Sequence, residues 1–264
     1  NETDEVISSE ITFSEYAFAC QLMGAKYTAI PMKNERYDIP AIANNINKKT
    51  KIIFIANPNN PTGTIIYHDE LKSLLEHTPK HVAVVIDEAY AEYVNDNNYP
   101  NTRKLQKTFP NLILLRTFSK LFGLAGLRIG YAIADKNIIQ DLHKVKQPFN
   151  INGLALQAAF LALNNTEHIA NSIKKNTEQK NYLYTALDTI SDIHYIPSHA
   201  NFICIKLACK ADIVCQYLLD AGIIVRNLSS FGMPYAIRVS IGKPEDNQKF
   251  IQKLKAAIKS IYQK

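Results

Sequence analysis

Lys51-Ile52-Ile53-Phe54-Ile55-Ala56 is a near-continuous β-branched and aromatic run that stops at Asn57-Pro58-Asn59-Asn60-Pro61-Thr62-Gly63. Apolar residues at every position, rather than every second one, mark a strand buried on both faces, as in a helix-covered parallel sheet. The Asn/Pro/Gly cluster behind it is a dense turn signal. The pattern then repeats. Residues 69–76 read as a short helix, 82–86 as a second buried strand ending at Asp87-Glu88-Ala89-Tyr90, and 112–115 as a third. Strand, helix, strand at this spacing implies right-handed crossovers and a parallel sheet. Ligands of such sheets bind beyond the carboxyl ends of the strands. Asn60, Asp87 and Lys120 each follow such an end, so all three are expected at one crevice.

The third strand opens into Arg116-Thr117-Phe118-Ser119-Lys120-Leu121-Phe122-Gly123-Leu124-Ala125-Gly126-Leu127-Arg128. A lysine among apolar neighbours loses hydration, and burial disfavours its charged form, which makes the amine a better nucleophile. The hydroxyls of Thr117 and Ser119 and the Arg128 guanidinium are groups that a phosphate needs. The bland alternative is a surface lysine in a loop. Residues 128–134 form a further strand, and the link into it is too short for a helical crossover, so it is expected to run antiparallel.

The outer parts of the chain complete the pattern. Residues 6–11 are a short strand, followed by a helix ending near Gly24. Residues 137–146 and 153–163 are helices, and 166–190 is one long helix or a kinked pair. After Pro197 come a strand at 202–207, a helix at 211–220 closed by Gly222, and strands at 223–226 and 236–241. A last helix starts at Pro244, with Phe250, Leu254, Ala257, Ile258 and Ile261 on one face. The expected fold class is α/β with a mostly parallel central sheet, plus a smaller α+β domain. The expected divisions are 1–165, a connecting helix at 166–190, and 191–264.

Composition narrows the function. The 264 residues are 47% hydrophobic and 20% charged, ordinary for a globular protein. A net charge of +6 comes from dispersed lysines, not from a stripe that would hold nucleic acid. Cys20, Cys204, Cys209 and Cys215 show no metal-ligand spacing, and the seven histidines lack the HExxH pattern, so no metal site is expected. Free cysteines in apolar segments suggest a reducing, cytoplasmic setting. No apolar run approaches the ~20 residues of a membrane span. Dinucleotide and P-loop glycine motifs are missing as well. The chain starts at Asn1, and its first turn already reads as mid-domain sequence, so residues upstream are expected.

Several side chains have two readings. A carboxylate closing an apolar strand is costly unless partnered. Asp87 is therefore either the charge partner of a protonated ring nitrogen or a cap for the next helix. Glu88 beside it reads as solvated surface. Tyr90 either donates to a phenolate oxygen or packs. Phe13 and Tyr16 are candidates for a ring stacked on a planar cofactor, or for core. Arg226 and Arg238 lie on strands of the second domain, facing water or clamping a carboxylate.

Taken in order, Asn60-Pro61-Thr62-Gly63, Asp87-Glu88-Ala89-Tyr90, Thr117-Phe118-Ser119-Lys120 and Arg128 resemble the fold-type I pyridoxal-phosphate aminotransferases. Ser198-His199-Ala200-Asn201-Phe202 and Ile237-Arg238-Val239-Ser240-Ile241-Gly242 look like the subgroup that acts on histidinol phosphate. The resemblance spans essentially the whole chain. It implies a three-layer large domain that binds pyridoxal 5'-phosphate, with Lys120 carrying the cofactor and shuttling the proton. Asp87 would keep the ring nitrogen protonated, Tyr90 and Asn60 would bond the ring oxygen, and Phe13 would stack on the ring. Thr117, Ser119 and Arg128 would hold the phosphate. Arg238 would bind the glutamate carboxylate, with Asn201 and Arg226 near the substrate. The implied reaction is amino transfer between histidinol phosphate and 2-oxoglutarate, in histidine biosynthesis, by a homodimer. Rivals are a threonine-phosphate decarboxylase or aromatic aminotransferase of the same fold, and an inactive relative that only binds. The family also has an upstream stretch, with a glycine-containing turn at the phosphate, that this chain lacks.

Overall fold

The computed structural model describes residues 1–262. Two sheets organise it. The first has six strands: β1 Glu5–Ser9, β2 Lys26–Ile30, β3 Thr50–Ala56, β4 Ala83–Asp87, β5 Leu112–Thr117 and β6 Gly130–Ile133, in the spatial order β2-β1-β3-β4-β5-β6. All neighbours are parallel except β5 and β6, which are antiparallel, as the short connection requires. The helices between and after these strands are α1 Glu15–Leu22, α2 Ile39–Asn44, α3 His68–His77, α4 Thr102–Thr108, α5 Lys136–Val145, α6 Gly153–Asn164 and α7 Thr166–Leu187.

Period-two alternation sends Ile53 and Ile55 of β3 to one face, together with Ile7, Val84, Ile86, Leu112 and Leu114. There they meet Ile39 and Ile42 of α2, Leu71, Leu74 and Leu75 of α3, and Leu105 of α4. At Phe54 the opposite face takes Tyr16 of α1, whose ring stacks at 4.6 Å. Asp38 caps α2 by accepting from the Ala41 N–H at 3.0 Å, and Asn101 caps α4 by accepting from Lys104 at 3.0 Å.

The second sheet is antiparallel, in the order β7-β8-β10-β9, from β7 Ile193–Ile196, β8 Phe202–Leu207, β9 Arg226–Asn227 and β10 Ala236–Ser240. Helices α8 Ala211–Asp220 and α9 Pro244–Tyr262 pack on it with the end of α7, burying Leu183, Leu187, Ile203, Ile205, Val214, Leu218, Ile237 and Leu254. Cys204 lies fully buried in β8, opposite Arg238, and burial pushes its thiol up to about 12. All four cysteines are free. Among the described residues no helix is long and apolar enough to cross a membrane.

Several expected boundaries move, among them the end of the first strand, which stops at Ser9 rather than 11. The strand ending at 115 runs on to Thr117, so that hydroxyl belongs to the strand rather than to the loop. The strand expected from 128 begins at Gly130, because Arg128 occupies a left-handed turn (φ 52°). The strand expected at 223–226 shrinks to Arg226–Asn227. Gly222 turns the chain with a positive φ, Ile223 N–H donates back to Leu218 O, and Ile223 and Val225 pack into the core instead of pairing. The 166–190 segment is one helix, ending at Leu187.

Candidate active site

The carboxyl ends of β3, β4 and β5 frame a cavity of about 190 Å3, lined by Phe13, Ala56, Pro58, Asn60, Asp87, Ala89, Tyr90, Lys120 and Arg238. Asp87 is the last residue of β4. Its Oδ2 accepts from the Tyr16 hydroxyl at 2.9 Å, and its Oδ1 accepts from the Ala89 N–H at 3.1 Å. The bond to Ala89 closes a local turn and caps no helix, since the next helical turn, Ala91–Tyr93, starts from Tyr90. Burial raises the Asp87 pKa, while Tyr16, the Ala89 amide and the Lys120 charge pull it back in part. Burial, with Asp87 adjacent, holds the Tyr16 phenol well above its ordinary range, so Tyr16 stays a donor.

Lys120 leaves β5 by a short loop and is half-buried. Its Nζ stands 5.2 Å from the centre of the Tyr90 ring, and among the described residues it makes no hydrogen bond or ion pair. Tyr90 is buried, with its ring edge-on to Phe202 at 5.0 Å. Asn60 is set by the turn after β3. Asn59 anchors that turn, donating to Ile11 O at 3.0 Å and to Thr62 Oγ1 at 2.9 Å while Thr12 donates to its Oδ1. From the second sheet, Arg238 reaches across and donates to Asn60 Oδ1. This leaves Asn60 Nδ2 as the free donor end of the amide. The Arg238 guanidinium lies 5.0 Å over the Phe202 ring, has no carboxylate partner among the described residues, and has its pKa lowered by burial.

The cavity thus gathers Phe13, Asn60, Asp87, Tyr90, Lys120 and Arg238. The other five expected residues do not line it. Thr117 and Ser119 sit beside it at the end of β5, where Thr117 Oγ1 accepts from the Ser119 N–H at 3.0 Å. Arg128 is exposed and donates to Ala125 O at 2.8 Å. Asn201 accepts through its carbonyl from Ile241 N–H at 2.9 Å. Arg226 is exposed, over the Phe231 ring at 5.7 Å, and is paired with Arg238 in the sheet.

Glu88 is a correction. It is 2% exposed, not solvated, and it accepts from Arg116 at 2.9 Å and from Thr102 at 2.8 Å. Arg116 also pairs with Glu92 at 2.8 Å. A charge flanked by Asp87 and Ala89 just past a strand end gives no hint of which face its partner occupies. The Tyr16–Asp87 bond also went unread. The one signal for it is the spacing of Thr12 and Tyr16, which places both side chains over the same strand ends.

A family model described as aminotransferase class I and II matches residues 1–254. A histidinol-phosphate aminotransferase of Nitrosococcus oceani is 42% identical over 254 residues, which are 96% of this chain and 68% of that protein. The chain spans about two thirds of the length of the curated relatives it matches. Among solved structures, the histidinol-phosphate aminotransferase of Clostridium acetobutylicum superposes with a TM-score of 0.92 at 24% identity, covering 98% of this chain and 79% of that one. The histidinol-phosphate aminotransferase of Sinorhizobium meliloti, solved in complex with pyridoxal-5'-phosphate, gives 0.89 at 24% identity, covering 98% and 71%. At that identity the two structures speak for the fold, while the family model and the closer sequence relatives go further: the chain belongs to the class I and II aminotransferases.

Proposed function

We propose that the cavity binds pyridoxal 5'-phosphate and that the chain transfers an amino group between histidinol phosphate and 2-oxoglutarate. One observation carries this: an unpartnered lysine amine and a carboxylate held only by neutral donors share one small cavity. A buried carboxylate without a cation is costly unless a ligand supplies one, and a protonated ring nitrogen is such a ligand. A cavity of about 150 Å3 admits benzene, so the room beside Phe13 suits one substituted ring.

When bound, the cofactor supplies an electron-accepting ring that stabilises the carbanion left by a departing α-proton. The chain does the rest. Lys120 Nζ holds the cofactor and moves the proton at the substrate α-carbon. Asp87 keeps a proton on the ring nitrogen, with Tyr16 and Ala89 fixing both its oxygens. Asn60, gripped through Oδ1, keeps Nδ2 for the ring oxygen, and Tyr90 stands on the same side. Phe13 covers the ring. Thr117, Ser119 and Arg128, at the paired ends of β5 and β6, hold the phosphate. Arg238 takes the carboxylate of the dicarboxylate partner, with Arg226 and Asn201 nearby. A homodimer is part of the proposal. Leu154, Phe160 and Leu161 on α6 are exposed apolar surface that a second copy would cover.

Borohydride reduction in the presence of pyridoxal phosphate tests the site, and the label is expected on the peptide containing Lys120. Label on Lys104, Lys107 or any other lysine would refute it. Substrate class is tested by comparing amino transfer from histidinol phosphate and from aromatic amino acids with carbon dioxide release from threonine phosphate. An inactive relative would bind the cofactor and turn over none of them.

A further inference from the structure

The loop joining β7 to β8 rests directly on the turn that presents Asn60. Gly63, buried and at φ +75°, has no room for a side chain: a Cβ there would stand 2.6 Å from the Ser198 Cβ and 3.1 Å from its Cα. His199 N–H donates to Gly63 O at 2.8 Å. From behind, α7 holds Ser198 on both backbone groups. Lys180 Nζ donates to its carbonyl at 2.8 Å, and its N–H donates to the Tyr184 hydroxyl at 2.7 Å. Burial lowers the Lys180 pKa by desolvating its ammonium.

The loop is also tied to Arg238. Asn201 O accepts from Ile241 N–H at 2.9 Å, just past the end of β10, and Cys204 of β8 is paired with Arg238 in the ladder. Asn60 and Gly63 lie three residues apart on one turn, closed by Gly63 N–H to Asn59 O at 2.7 Å. The second sheet therefore meets this turn at two points, Arg238 on Asn60 and Ser198 on Gly63. A third contact, Lys206 with Glu35, lies further along β8.

We propose that Ser198 is a positioning residue for substrate: its seat on Gly63 sets how closely Arg238 approaches Asn60, and so sets the affinity for a dicarboxylate. This rests on the reading of Arg238 as the carboxylate site. Bidentate capture of a carboxylate tolerates little displacement of the guanidinium, whereas the groups proposed to hold the cofactor, Asn60 excepted, lie off this turn.

Calorimetric titration of the cofactor-loaded protein with 2-oxoglutarate tests it, with pyridoxal phosphate affinity as the control. Gly63→Ala is expected to weaken 2-oxoglutarate by about tenfold or more, since small misplacements of binding groups cost on that scale, and to weaken the cofactor by less, because Asn60 alone of its proposed contacts lies on this turn. Ala at a positive φ is strained whatever surrounds it, so the deciding variant is Gly63→Ala combined with Ser198→Gly. That variant keeps the strain, removes the Ser198 Cβ and Oγ while its Cα stays 3.1 Å away, and should recover most of the affinity. A double variant as weak as Gly63→Ala alone overturns the proposal. Should Gly63→Ala fail to fold, Lys180→Met removes the shorter of the two bonds on the Ser198 carbonyl, leaving the Tyr184 hydroxyl at 3.5 Å, without crowding Gly63, and a loss of about threefold is expected for one released charged hydrogen bond at a distance from the ligand. An unchanged 2-oxoglutarate affinity in Lys180→Met overturns the proposal. If the unsubstituted protein binds the cofactor but not 2-oxoglutarate, the carboxylate reading of Arg238 itself falls, and this inference with it.

Discussion

Asp87 and Glu88 are chain neighbours with opposite surroundings. Glu88 faces a full complement: Arg116 at 2.9 Å, Thr102 at 2.8 Å, and Glu92 sharing the same guanidinium. Burial works against the Arg116 charge, but the Glu92 and Glu88 carboxylates outweigh it and hold the guanidinium protonated beyond its ordinary range. Asp87 has only a phenol and an amide. The arginines repeat the contrast, Arg116 with two carboxylates and Arg238 with none among the described residues. One cluster gives each of its two carboxylates a nitrogen of the same guanidinium, with one negative charge in excess and Arg116 Nε left without a partner among the described residues, and ties β4 to β5. The cavity leaves a carboxylate, an amine and a guanidinium for groups that the chain does not itself provide. A buried carboxylate ion-paired to a cation of its own chain serves the architecture, and one bonded only to neutral donors is where a ligand belongs.

The largest separation of the two regions is expected from Asp87→Asn. The substituted side chain can keep the Tyr16 bond but cannot hold a proton on a ring nitrogen. Single-turnover α-proton abstraction should fall by about 10²–10⁴-fold, the range for loss of a proton-handling group, while borohydride still fixes the cofactor to Lys120. A near-normal rate would reduce Asp87 to a residue that closes a turn. Its pH signature has a definite sign. Because burial raises the folded-state pKa, protonation favours the fold, so the native chain loses stability as pH rises from the unfolded carboxylate range through the raised value. In the cofactor-free protein, the melting temperature of Asp87→Asn should therefore gain on that of the unsubstituted chain as pH increases. A constant difference would contradict the raised pKa.

Arg116→Met should do the reverse. It strands Glu88 and Glu92, and loss of one partner from a buried pair costs about 3–5 kcal/mol. Denaturant unfolding should report that loss. In the fraction that remains folded, the label should still go to Lys120. If stability were unchanged, Glu88 would have another partner or access to water.

The smallest effect is expected for Arg238→Lys, which keeps the charge and loses the planar fork. A charge-assisted hydrogen bond is worth about 1.5–3 kcal/mol, so the KM for glutamate should rise by about tenfold or more, with the cofactor still tightly held. Histidinol phosphate carries no carboxylate, and its KM should rise less. Equal losses for both substrates would remove the carboxylate role from Arg238.

Much of this was legible because the buried strands β3, β4 and β5 carry unbroken apolar runs, and because a parallel sheet sends its strand ends to one side. Asn60, Asp87 and Lys120 could be brought together on that basis alone. The parts that escaped lack such a signal. β2, Lys26-Tyr27-Thr28-Ala29-Ile30, is an edge strand with mostly exposed or half-buried side chains, and its pairing with β1 supplies what its composition does not. Ile39–Asn44 carries Pro40 in its first turn and is too short for a period to show. In Thr102–Thr108, only Thr102 and Leu105 are buried. The Glu88–Arg116 pair joins residues 28 apart. Hydropathy along one strand does not reveal which face of its neighbour answers it.

Cys204 offers a built-in clock for the second sheet. Its sulfur is fully buried on the face of β8 covered by Leu228, Phe231 and Met233 and its acidity is suppressed, so a thiol reagent reaches it only when that cover lifts. Its alkylation rate in the native protein, read on the peptide that contains Cys204, therefore counts openings of the cover beside the strand pair that carries Arg238.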